Sequence, residues 1–286
     1  MTASSPHTTA MVPPARRPSR AGRDLVAAIT VGVLLGVVIL GSLLIERHAF
    51  IGVLAIATAV GTWELAGALR RGAGIEVSLP VLIVGGQAMV WLSWPFRLQG
   101  LAIAFAVTAL AVLLWRMRAG SAHYVRDVTA GIFTAAYVPL FCSFAVLLVV
   151  AEDGLARVLT FLICGVASDV GGYAAGVLLG RHAMAPTISP KKSWEGFGGS
   201  QLVGMVAGAL CVHFLLGGAW WAGALTGALL VTCATLGDLI ESMVKRDLGI
   251  KDMSTLLPGH GGMLDRLDSL LPTAVVAWVL LSIVAP

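Results

Sequence analysis

From Leu25 to Val284 the chain alternates long apolar runs with short polar breaks. A helix that crosses a bilayer needs about 20 mostly apolar residues, and its backbone polar groups must be satisfied within the segment. The runs 25–45, 49–69, 79–95, 98–115, 128–150, 155–179, 197–217, 219–244 and 265–284 meet or approach that length. The expected fold is all-α: a polytopic integral membrane protein with about nine transmembrane helices. Composition agrees. The chain is 58% hydrophobic and 12% charged, against about 45–50% and about 25% in soluble domains. That sets aside a soluble multidomain enzyme.

Charge fixes a direction. With the N-terminus in the cytoplasm, only Arg47, Arg97 and Arg157 fall in outer segments, which leaves sixteen of the 19 basic residues inside. Cytoplasmic loops carry such an excess of Lys and Arg. An odd number of spans then puts the C-terminus outside, and the inner membrane of a cell is the expected location. The basic excess lies beside the bilayer, and no nucleic-acid partner is expected.

Three regions follow. Residues 1–23 are polar, Pro-rich and basic and read as a disordered cytoplasmic tail. The run 25–45 is too long for a signal-peptide core and lacks a cleavage site. Residues 24–164 read as a transmembrane scaffold, and 165–286 as a second transmembrane half, which the resemblance given below implies is the catalytic one. Gly recurs every four residues at Gly32/Gly36, Gly172/Gly176/Gly180, Gly204/Gly208 and Gly223/Gly227. That spacing lets helix backbones approach closely in lipid. Cys142, Cys164, Cys211 and Cys233 stand singly in apolar runs, without zinc-site or disulfide spacing.

Polar residues gather late in the chain. Six of the 15 acidic residues lie between 238 and 268. Asp238, Glu241, Ser242 and Lys245 share one helix face, and Asp265, Asp268 and Ser269 repeat that spacing on the next helix. Two acid-bearing helix ends joined by a Gly-rich loop suit a hard divalent cation. Lys245, Arg246, Lys251 and Arg266 set four cations among the acids, a mixture suited to a polyphosphate. Gly259, Gly261 and Gly262 permit close backbone approach to a ligand or make a turn, and His260 lies between them. Asp169 sits in a second apolar helix, and ionisable groups at membrane depth are functional candidates. The segment TISPKKSWEGFGG reads as a cytoplasmic loop. It supplies Ser189, Lys191, Lys192, Ser193 and Glu195, anchored by Pro190 and Trp194. Glu64 is a weaker candidate, for which a buried ion pair serves equally well.

The stretch SMVKRDLGIKDMSTLLPGHGGMLDRLD, Ser242 to Asp268, resembles the signature of the phosphatidate cytidylyltransferases, the CDP-diacylglycerol synthases. The loop SPKKSWEG, the helix around Asp169 and Gly237-Asp238 are similar too. The likeness is strong over 165–286, and earlier it extends only to hydropathy and helix count. It implies multi-pass homodimers that use Mg²⁺, with K⁺ as an assisting ion. The phosphate of phosphatidic acid attacks the α-phosphorus of CTP and pyrophosphate leaves. Asp238 and Asp265 match the family's metal-binding carboxylates. The implied catalytic set is Lys245, Arg246, Lys251, Asp252, His260, Arg266 and Asp268. Substrate contacts fall to Asp169, Ser189, Lys191, Lys192, Ser193, Glu195, Ser242, Gly261 and Gly262. Within that reading, Lys245 and Arg246 serve the reacting phosphates, and the Lys191/Lys192 loop captures lipid at the membrane surface. Two rival readings are an ion-coupled transporter with Asp169 and Asp238 on its pathway, and a related enzyme acting on an isoprenoid lipid.

Overall fold

The structure is a computed structural model and describes residues 25–257 and 261–285. The expected tail, 1–23, and His260 lie outside the described residues. The helices are α1 (Leu25–Ile45), α2 (Arg47–Ala73), α3 (Leu79–Met117), α4 (Tyr124–Ala135), α5 (Phe141–Val149), α6 (Gly154–Leu179), α7 (Trp194–Leu216), α8 (Trp220–Asp247), α9 (Leu264–Leu267) and α10 (Leu270–Val284). A short hairpin, β1 (Ala183–Ala185) and β2 (Ser189–Ser193), stands between α6 and α7.

Among the described residues, seven helical segments are long and apolar enough to cross a membrane. One of them, α3, is two limbs. Its backbone leaves helical geometry at Arg97, where φ is 53° and ψ is −141°. Pro95, just before, cannot continue the helical ladder. Added Cβ atoms at Gly85 and Gly100 would meet Thr108 and Leu92 respectively, so the limbs run antiparallel on either side of Arg97. With α1 as a further apolar helix, this gives nine limbs among the described residues, in the order the hydropathy expects.

Local chemistry explains the other irregularities. A π-helical turn, Ala136–Leu140, joins α4 to α5 and contains Pro139. Proline lacks the amide that an α-turn would use there. Arg157 on α6 is 9% exposed. Its guanidinium pairs with Asp153 at 2.6 Å and donates to the Leu281 carbonyl at 3.0 Å, which also accepts the Ala285 amide at 3.1 Å, so it ties the start of α6 to the end of α10. All four cysteines are free thiols.

The C-terminal helices pack through glycine. A Cβ on Gly227 would stand 2.1 Å from the Gly204 oxygen, and one on Gly208 2.4 Å from the Gly223 oxygen. Backbone therefore meets backbone between α7 and α8, as the four-residue spacing predicts. Gly36 differs, since a Cβ there would meet nothing within 4 Å.

The segment between α6 and α7, expected as a loop, is a hairpin with Ala183 opposite Ser193 and Ala185 opposite Ser189. Glu195 closes it from the first turn of α7. Its carboxylate accepts the amides of Arg181 at 3.1 Å and His182 at 3.2 Å, and meets His182 Nδ1 at 2.6 Å. Ser193 caps α7 by accepting the Gly196 amide at 3.1 Å, one of the orphan donors of a helix start.

Candidate functional site

A cavity of about 430 Å³ opens where α6, the hairpin, α7, α8 and α9 converge. Asp169 and Tyr173 come from α6, Lys191 and Lys192 from β2, Asp238 from α8, and Asp265, Arg266 and Asp268 from the segment before α10. Four carboxylates and three cations thus line one cavity. Among the described residues, none before Ser168 lines it.

Glycine makes this convergence possible. A Cβ on Gly237 would stand 2.6 Å from Pro272 Cγ and 2.8 Å from the Asp268 oxygen. Only hydrogen fits, so α8 crosses close to the start of α10. Asp238, the next residue, therefore reaches the same cavity as Asp268 and Ser269. On the opposite wall a Cβ at Gly199 would sit 2.6 Å from the Gly171 oxygen. The start of α7 is thereby pressed against α6, beneath the Lys191/Lys192 strand.

Charges are paired across elements. Lys192 Nζ lies 2.6 Å from Asp238 Oδ2 and 3.3 Å from the Thr235 carbonyl. Ser242 donates to Asp238 Oδ1 at 3.4 Å, the one-turn spacing expected from sequence. Glu241 is fully buried and pairs with Lys245. Lys245 also donates to Asp265 Oδ1 at 2.9 Å. The buried set is two carboxylates on one ammonium, an arrangement that tolerates loss of no member cheaply.

The structure brings together Asp169, Asp238, Asp265, Asp268, Lys191, Lys192, Ser193 and Arg266 as cavity-lining residues. It separates others from them. Lys245 stands behind Asp265 and does not line the cavity, contrary to its expected place beside the reacting phosphates. Arg246 is exposed and reaches the Ile188 carbonyl at 3.4 Å, which ties α8 to the hairpin. Lys251 is exposed. Asp252 borders a second cavity of about 640 Å³ with Trp63, Arg71 and Ser254. Ser189 and Glu195 hold the hairpin together instead of lining the cavity. Gly261, at φ +83°, lies under Asp265, and Gly262 lies under Glu64.

Residues the sequence reading left out also line the wall. Tyr173 stands one turn after Asp169, a spacing that would have found it. Ser200 donates to the Ser168 carbonyl at 2.6 Å; no pattern marks it.

A hard cation fits this wall. The donors are carboxylate oxygens, which suit magnesium-type ions. Among the described residues no group of three or more His, Cys, Asp or Glu forms a ready-made cage. Magnesium commonly keeps several waters and binds one or two carboxylates together with substrate phosphates. Asp238 and Asp265, both lining the cavity, supply that number of carboxylates.

The fold and the cavity define a polytopic membrane protein with a mixed-charge cavity among its C-terminal helices. The profile of the Cytidylyltransferase family matches residues 26–284, and the chain belongs to that family. A phosphatidate cytidylyltransferase of Mycobacterium bovis is 48% identical over 98% of this chain and 96% of its own length. The Mycobacterium leprae protein of the same name is 48% identical over 92% and 89% respectively. One from Haemophilus influenzae is 43% identical over 41% of this chain and 42% of its own. The likeness to the mycobacterial proteins runs through the N-terminal half, beyond the region the signature marks.

Proposed function

We propose that the chain is a phosphatidate cytidylyltransferase that makes CDP-diacylglycerol and pyrophosphate from CTP and phosphatidate. The observation that carries this reading is the single cavity shared by Asp238, Asp265, Asp268, Lys191, Lys192 and Arg266, in a chain 48% identical to relatives of that name. A phosphatidate oxygen attacks the α-phosphorus of CTP; the bond to the bridging oxygen breaks and pyrophosphate carries the electron pair away. The nucleophile is already an anion, so the site needs charge neutralisation and in-line positioning more than a base. This explains a wall of Asp, Lys and Arg without a Ser/His/Asp set.

Asp238 and Asp265 would hold a divalent cation, read as Mg²⁺ with K⁺ assisting. When bound, it offsets the repulsion between the two phosphate-bearing substrates. Lys191, Lys192 and Arg266 bind phosphate oxygens. Lys192, paired with Asp238, belongs with the reacting centre, and this revises its sequence-based assignment to lipid capture alone. Lys245 fixes Asp265 from behind. Lys251 and Asp252 lie on the segment between α8 and α9, outside the lining of this cavity. The active enzyme is read as a homodimer in the cell membrane, with the cavity and N-terminus cytoplasmic and the C-terminus outside.

Transfer of label from [α-³²P]CTP into lipid tests the activity. Incorporation with phosphatidate, and none with a phosphorylated isoprenoid, supports the reading. The reverse preference makes the chain an isoprenoid-lipid enzyme, and ion flux into proteoliposomes without CTP makes it a transporter. Reporter fusions at the two termini should read opposite compartments; matching compartments would contradict the orientation.

A further inference from the structure

Glu64 lies in the N-terminal half, whose described residues line none of the cavity. It sits in mid-α2 and is 1% exposed. Among the described residues its partners are neutral donors of a distant loop. Ser254 Oγ donates to Oε1 at 2.5 Å, the Met263 amide donates to Oε1 at 2.9 Å, and the Leu264 amide donates to Oε2 at 2.7 Å. An isolated carboxylate buried at this depth is costly unless it is fully hydrogen-bonded. Here three donors supply the bonds.

Asp265 grips the same loop one step inward. Its Oδ2 accepts the Met253 amide at 2.9 Å and the Gly262 amide at 2.7 Å. The two carboxylates therefore hold both strands of one neck, Glu64 at 254 and 263–264 and Asp265 at 253 and 262. Gly262 fits between them. A Cβ there would stand 2.8 Å from both Glu64 oxygens. Beyond the neck, Leu257 and Gly261 form an antiparallel bridge. On its other side, Asp265 meets Lys245 and the cavity.

We propose that Glu64 is a positioning residue for cytidylyl transfer. By closing the neck of the loop between α8 and α9, it fixes Asp265, and Lys245 through Asp265, against the cavity. The inference rests on the activity reading above. It assigns the N-terminal half a part in turnover. A purely architectural Glu64 would instead alter the yield of folded protein and leave turnover per folded molecule untouched.

The test uses the full chain, purified as a folded, monodisperse sample, with kcat and both KM values measured per folded molecule. Glu64→Gln keeps the side chain's size and sets an amide donor against the loop's own donors. Small displacements of catalytic groups cost up to about 10²-fold. A fall in kcat of about 10-fold or more, with the KM for CTP and for phosphatidate little changed, is the expected result. Combined with Asp265→Asn, the loss should be less than additive, because the two residues act as one clasp. Ser254→Ala removes one of the three donors and should lower kcat by a smaller factor. Should Glu64→Gln yield no folded protein, Ser254→Ala decides alone: lowered kcat supports the proposal and unchanged kcat overturns it. Wild-type kcat in Glu64→Gln overturns it, as does full additivity with Asp265→Asn. Wild-type protein that makes no CDP-diacylglycerol removes the activity reading and this inference together. Active wild type beside an equally active Glu64→Gln removes the inference alone.

Discussion

The helices before Gly154 bury most of the large apolar side chains, with glycine contacts at Gly85 and Gly100 between the limbs of α3, whereas α6 to α8 meet through a longer series of glycines. Ile51, Leu65, Leu82, Met89, Leu101 and Leu148 are among the largest fully buried side chains; from α6 to α8 the apolar member of that group is Leu230. In the later half Gly171, Gly199, Gly204, Gly208, Gly223, Gly227 and Gly237 stand where a Cβ would strike a neighbour. In lipid, apolar burial gives helices little reason to associate, and close backbone contact takes its place. Val158, Phe161, Val212 and Leu230 fill the core between α6, α7 and α8, and outside that cluster polar groups from several elements line one cavity. The first half is a filled core, and the second is a close-packed frame around a cavity.

The account can be broken at several strengths. Chelation should have the largest effect. Excess EDTA should abolish CDP-diacylglycerol formation and added Mg²⁺ restore it; undiminished activity would remove the cation from the wall. Next comes Asp238→Asn, which takes the charge from the partner of Lys192. Turnover should fall at least about 10²-fold, the scale of losing a main electrostatic stabiliser, and near-normal kcat would move the centre elsewhere. Lys191→Ala with Lys192→Ala should follow. Loss of uniform binding appears in KM and loss of a transition-state contact in kcat. The pairing of Lys192 with Asp238 predicts that kcat falls along with any rise in KM. A change confined to the KM for phosphatidate would return the strand to lipid capture.

The smallest expected effects concern packing alone. Gly227→Val drives a side chain into the Gly204 oxygen, and overpacking of this kind costs about 1–3 kcal/mol. Gly36→Ala meets open space and should stay within about 0.5 kcal/mol of wild type. Thermal unfolding in detergent compares the two. Equal stability would mean that glycine contact does not hold the later helices.

The sequence exposes most of this frame. Apolar length predicts the helices, and the two runs flanking Phe96–Arg97 predict the limbs of α3 even though the chain turns there without a separate loop. Asp238, Asp265 and Asp268 were legible because ionised groups are conspicuous in apolar surroundings and fall at helical spacing. The role of Lys245 was less so. Its spacing from Asp238 says which face it occupies, but not that Glu241 and Asp265 hold it behind the wall. The hairpin was hidden because Glu195, which closes it, reads as a ligand when its partners are unknown. Glu64 was hardest to read. Its partners are two backbone amides and one hydroxyl some 190 to 200 residues away, and amides leave no mark in a sequence.

The central claim is that this cavity transfers the cytidylyl group of CTP to phosphatidate. One assay tests it most directly: purified protein, [α-³²P]CTP, phosphatidate and Mg²⁺, with lipid-borne label and released pyrophosphate counted together for wild type and for Asp238→Asn. The account predicts equal amounts of labelled CDP-diacylglycerol and pyrophosphate from wild type, and a loss of at least about 10²-fold in the variant. No labelled lipid from folded wild type, or equal rates from both proteins, would contradict it.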